Sequence, residues 1–70
     1  MAVASVSTIT SSSPEGWQHA LELGLERARL TLRGITGIHV TDEKAKVEGG
    51  EIVEFLVTLQ VIFLLEDDQD

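Results

Sequence analysis

The sequence predicts an α+β fold of order β-α-β-β, a three-stranded antiparallel sheet that partly wraps one helix. Three observations carry this. A stretch from Pro14 to about Arg33 repeats apolar residues at helical spacing. Two long alternating runs flank the pair Gly49-Gly50. The first residues alternate Val, Ser, Thr and Ile in the manner of a strand. At 70 residues the chain is a single domain, 1–70.

Taking the elements in order, residues 2–9 place small or polar and apolar side chains at period two, as a half-buried strand requires. Thr10-Ser11-Ser12-Ser13 then reads as a turn into Pro14. Ser13 has the hydroxyl of a helix N-cap, Pro14 suits the first helical position, and Glu15 complements the positive end of the helix dipole. Along the predicted helix, Trp17, Ala20, Leu21, Gly24, Leu25, Ala28, Thr31 and Leu32 fall on one face, and Gly34 is the expected stop. Leu23 and Leu30 stand off that face, seven residues apart, beside a charged strip of Glu22, Glu26, Arg29 and Arg33. A helix lying on one small sheet needs a single apolar stripe, so a second stripe points to a second partner.

Two strands follow, 37–48 and 51–65, joined at Glu48-Gly49-Gly50-Glu51 by a tight hairpin. Val53, Phe55, Val57, Leu59, Val61, Phe63 and Leu65 make one face of the last strand apolar, and that face is expected to cover the helix. The opposite face, Ile52, Glu54, Leu56, Thr58, Gln60, Ile62 and Leu64, is too apolar for plain water and is expected to pack on neighbouring subunits or line a pocket between them. The acidic end, 66–70, is expected to be a mobile, solvated tail.

Composition narrows the function. Twelve acidic residues against five basic ones give a net charge of −7, which opposes binding to nucleic acid phosphates or anionic membranes. The absence of cysteine removes disulfides and the commonest structural zinc ligands. A domain this small buries only about 60% of the surface its unfolded chain exposes, so oligomerisation is the remaining source of stability. MAVASVSTIT lacks a basic segment followed by a long apolar one, so no secretion signal is expected and the cytoplasm is the default location.

Catalysis finds little support, and no enzyme is expected. Every serine lies within the first 13 residues, no cysteine nucleophile exists, and Gly49-Gly50 belongs to the hairpin. The neighbouring acids Asp42 and Glu43 point to opposite faces of a strand and make a poor general acid/base pair. His19 is expected on the solvated side of the helix, and His39 near the start of the second strand as a surface imidazole beside a possible pocket at Gly37. Trp17, in the first helical turn, is expected in the core or as a lid over the sheet edge.

Four segments together resemble the dodecin family over Val3 to Asp67: S-S-S-P-E-G-W at 11–17, G-L-E-R-A-R-L-T-L-R at 24–33, V-E-G-G-E-I at 47–52 and V-T-L-Q-V-I-F-L-L-E-D at 57–67. The resemblance implies the β-α-β-β fold and a hollow homododecameric shell, which would give both surplus apolar surfaces a partner. It also implies a prokaryotic flavin-binding protein for storage or buffering, holding FMN or riboflavin as stacked pairs between subunits. The family's stacking tryptophan falls on Gly37 and its ring-binding glutamine on Leu56. Its basic positions fall on Lys44, which keeps the charge, and on Leu64, which does not. His39, two positions beyond Gly37, is the remaining side chain that could stack on a flat ligand. The flavin site is therefore weakened, with cofactor-binding positions Gly37, His39, Lys44 and Leu56. The competing expectation is a shell that has lost tight flavin binding and holds another small ligand or a cation. No metal site is expected within one chain.

Overall fold

A computed structural model describes residues 3–65. Its elements are β1 (Val3–Ser13), α1 (Trp17–Arg29), β2 (Ile35–Glu48) and β3 (Glu51–Leu65). The sheet order is β1-β3-β2 with both pairings antiparallel, so the predicted architecture is present. The acidic tail expected at 66–70 lies outside the described residues.

β3 is the centre because its fifteen residues form one continuous extended run, apolar on one face, that pairs on both edges. Gly49 and Gly50 adopt φ of 59° and 80°, the pair of left-handed conformations that a two-residue hairpin turn demands. The molecule is elongated, 57 × 19 × 13 Å, because the strands far outrun the helix. Thirteen helical residues rise only about 20 Å. Consequently Val57, Leu59 and Val61, in the middle of β3, are buried, while Val53 and Leu65 at its ends remain exposed. The apolar face of β3 does cover the helix, but the helix occupies only the central part of that face.

Small residues let α1 sit close to the sheet. Ala20, Gly24 and Ala28 are its buried positions, and a Cβ on Gly24 would meet both Leu59 Cδ2 on β3 and Ser11 Cβ on β1 at 3.2 Å. The helix therefore rides over the seam between β1 and β3 and leaves β2 largely uncovered. Leu21, Leu32, Ile9, Ile35 and Ile38 complete the core around the five buried apolar residues.

The junctions differ from the sequence reading. β1 continues through Ser13, because Thr10 to Ser13 pair with Thr58 to Phe55 of the long central strand. Tertiary pairing thus overrides the turn propensity of the serines. Ser13 is not an N-cap: the helix starts at Trp17, its cap is Gly16 at φ 147°, and no side chain caps it. α1 ends at Arg29, four residues before the expected Arg33. Leu30 and Thr31 close the last turn on Arg27 and Ala28 carbonyls, which lets Leu32 fold back onto the core. β2 begins two residues early, at Ile35.

The two sheet edges are unlike. β1 pairs over eleven consecutive residues without a bulge and carries no charge and no proline. β2 has bulges at Thr36 and Thr41 in its pairing with β3, and displays Asp42, Glu43, Lys44, Lys46 and Glu48. Such bulges and charges blunt an edge against further pairing. Among the described residues, no helix is long and apolar enough to cross a membrane.

Candidate functional site

The sheet face turned away from α1 is the candidate site. Its composition follows from the register, since antiparallel partners share a face and successive residues alternate. Val57, Leu59 and Val61 face the helix, so Leu56, Thr58, Gln60 and Ile62 face the other way. Across β3 this places Gly37 beside Ile62, His39 beside Gln60, Asp42 beside Thr58 and Lys44 beside Leu56. On the other side Val6, Thr8, Thr10 and Ser12 complete the same four rows. A hydrogen bond of 3.2 Å between the hydroxyls of Thr10 and Thr58 ties one row together.

All four positions proposed from sequence, Gly37, His39, Lys44 and Leu56, therefore share one uncovered face. They are not one cluster. The Gly37 and Leu56 rows are six residues apart along β3, or about 20 Å at strand rise. A flat ring that touched both positions would have to take them from two different copies. Between them lies a polar band of His39, Gln60 and Thr8, followed by Asp42, Thr58 and Thr10. Leu64, the second of the family's basic positions, is exposed on the same face near its end.

Sequence reasoning missed this band, because the bulge at Thr41 creates it. An unbulged strand would put Thr41 on the same face as His39; the inserted residue advances the register, so Asp42 takes that place. Thr41 instead donates its hydroxyl to the Thr58 carbonyl at 3.3 Å. Asp42 lies 3.6 Å from Lys44 Nζ in an exposed pair, which holds the lysine loosely on the rim. Asp42 and Glu43 do point to opposite faces, partnered by Thr58 and Val57. Among the described residues no group of three His, Asp or Glu side chains could hold a metal ion.

On the helix side, a cleft of about 390 Å³ opens between α1 and β2. Trp17, Leu21 and Glu22 line it from the helix, and Val40, Glu43 and Val57 from the sheet. It exists because the helix is centred over β1 and β3, a placement that periodicity alone does not reveal. Trp17 stands at its lip, 37% exposed, donating its indole N–H to the Lys44 carbonyl at 3.0 Å. Its ring meets Phe55 edge-on with centroids 4.9 Å apart. It is the lid over the sheet that its position suggested.

His19 keeps solvent contact as expected, its side chain 39% exposed, but it is not free. Its Nδ1 shares a 2.6 Å hydrogen bond with Ser13 Oγ, which also accepts the Glu15 backbone N–H at 3.0 Å. The pair is no catalytic dyad. Ser13 is 1% exposed, and the Glu15 carboxylate lies 3.8 Å from the same ring nitrogen that bonds Ser13, not from the opposite nitrogen where a triad's orienting acid would sit. The bond instead fastens the β1–α1 junction.

Comparison with known proteins agrees with this architecture. The family model described as Dodecin matches residues 3–66. Among solved structures, the tt0972 protein from Thermus thermophilus is similar at 30% identity and a TM-score of 0.90, covering 96% of this chain and 98% of its own. A dodecin from Streptomyces coelicolor gives 28% identity and a TM-score of 0.89, with 96% of each chain covered. A calcium-chelating antigen from Mycobacterium tuberculosis, named calcium dodecin, gives 28% and 0.79, with 97% of each chain covered. Among curated proteins no match is found.

Proposed function

The chain belongs to the dodecin family, and on that premise we propose that it is a non-enzymatic binding and storage subunit of a closed homododecameric shell with a weakened flavin site. The carrying observation is the uncovered outer face. It gathers all four candidate positions, yet spaces Gly37 and Leu56 too far apart for one copy to enclose a flat ligand. Binding and assembly are then one event.

Self-association is supported by the burial pattern. Ten large apolar side chains are exposed, on both faces of the sheet and on the helix, against five buried apolar residues in the core. An imbalance of this kind is what interfaces resolve. The ligand site is weakened because Gly37 offers no aromatic surface and Leu56 no hydrogen bond. His39, exposed beside Gln60, remains as a modest stacking group for FMN, riboflavin or another flat molecule. The burial of Ser13, whose bond to His19 is the one serine–histidine bond among the described residues, supports the non-enzymatic reading.

A second reading, a shell that holds a cation, is favoured by the calcium-chelating relative and by the charge of −7 on each copy. Among the described residues no three metal ligands gather within one copy, so this reading places the ion where copies meet.

Riboflavin and FMN titrations separate the two. Micromolar fluorescence quenching supports flavin binding; none at that concentration, with calorimetric heat on calcium addition, supports the cation. Size-exclusion chromatography with light scattering tests the assembly, and a monomer of 7.6 kDa would overturn it.

A further inference from the structure

The helix has two unlike flanks. On the β1 side, His19, Leu23, Arg27 and Leu30 follow one another at spacings of four, four and three residues, a single stripe along α1. The His19–Ser13 hydrogen bond fixes the direction of that stripe, because Ser13 is on β1. Leu30 is 75% exposed and Leu23 39%, uncovered by any of the described residues. On the β2 side lies the α1–β2 cleft, its floor formed by Val40 and Val57 and its rim carrying Glu22 and Glu43.

These flanks complement each other. One offers two apolar knobs with a guanidinium between them; the other offers an apolar floor edged by two carboxylates. Both glutamates are exposed, as is Arg27, so their attraction steers the approach while the leucines supply the area removed from water. The flanks lie on opposite sides of the helix, so a copy that inserts its own stripe into a neighbour still presents an open cleft to a third. A contact between unlike surfaces propagates in this way and closes into a ring when the rotation allows.

We infer that the α1–β2 cleft of each copy receives the Leu23–Leu30 stripe of the next, a head-to-tail contact that closes into a ring within the assembly. This rests on the self-assembly proposed above and specifies which surfaces meet.

The chain has no cysteine, so introduced thiols are free of background. Leu30→Cys and Glu43→Cys are both at exposed positions. Each single variant and the double variant, in the assembled state, would be treated with a short bismaleimide and run on a denaturing gel. The double variant is expected to give covalent chains of two, three and more subunits, and each single variant only monomer. Covalent dimers from Leu30→Cys alone would mean that like surfaces meet, and would overturn the inference. So would an absence of linkage in a double variant that elutes as wild type does. Leu30→Asp is expected to raise the concentration at which the assembly dissociates by at least tenfold, and an unchanged value would also overturn it. Monomeric elution of the unmodified wild type is a separate outcome: it removes the assembly itself, and this contact with it.

Discussion

On the proposed function, Gly37→Trp combined with Leu56→Gln is expected to convert a weak flavin site into a tight one. The structure has room for the change. A Cβ at Gly37 would find only Ile62 Cδ1 within 4 Å, at 3.8 Å, and the backbone there is not in the left-handed region, so a side chain can start from this position without strain. Leu56 is half-buried between Ser12 and Lys44, where a glutamine of similar length can turn its amide outward to a ligand. One aromatic stacking surface contributes about 1–3 kcal/mol by analogy with base stacking. Satisfying a ring edge that would otherwise be buried without a partner contributes about 1–3 kcal/mol more. Taking about 2 kcal/mol for each, either single substitution tightens binding roughly 30-fold and the pair roughly a thousandfold. The assay is quenching of riboflavin and FMN fluorescence, with all variants matched for oligomeric state by light scattering. A double variant that assembles normally yet gains less than about tenfold would refute the reasoning, since neither position would then face the ring.

Three further outcomes follow from the packing. Gly24→Val should lower the thermal midpoint at fixed protein concentration: its Cβ would lie 3.2 Å from both Leu59 Cδ2 and Ser11 Cβ, and overpacking costs about 1–3 kcal/mol. Circular dichroism melting checks this, and a rise in midpoint would contradict it. Ser13→Ala removes a buried hydroxyl that serves both Glu15 N–H and His19 Nδ1; a loss of about 1–2 kcal/mol is expected in urea unfolding. Gly50→Val, at φ 80°, should cost about 1–2 kcal/mol because a β-branched residue resists that conformation. Faster hydrogen exchange at the hairpin amides would report it, whereas unchanged exchange would argue against the turn assignment.

Much of this fold was legible in the sequence because period-two and period-3.6 patterns are local. The hairpin is the clearest case, since Gly49-Gly50 between two alternating runs admits few other structures. The errors all arise where a distant partner decides. The serines at 11–13 have turn chemistry, but β3 is long enough to recruit them into β1. Leu32 keeps helical periodicity yet packs from a turn, because the chain must reverse to begin β2. The shared face of Gly37, His39, Lys44 and Leu56 depends on the bulge at Thr41, and no local signal in T-D-E-K marks that bulge. The α1–β2 cleft depends on where the helix rests, which Ala20, Gly24 and Ala28 determine only together with Ser11 and Leu59.

The contrast between the two sheet edges bears on the life of the subunit before it meets its neighbours. β1 presents eleven uncharged, unbulged residues along an edge that no other described strand pairs with, a template onto which an extended chain can add. Under the proposed assembly, a released subunit faces a race between orderly closure and open-ended fibre growth. Dilution or heating that dissociates the particle would feed the second route, so loss of the particle and loss of recoverable protein should set in together. A single lysine on the outward edge of β1, at Thr8, would slow fibre growth and uncouple the two.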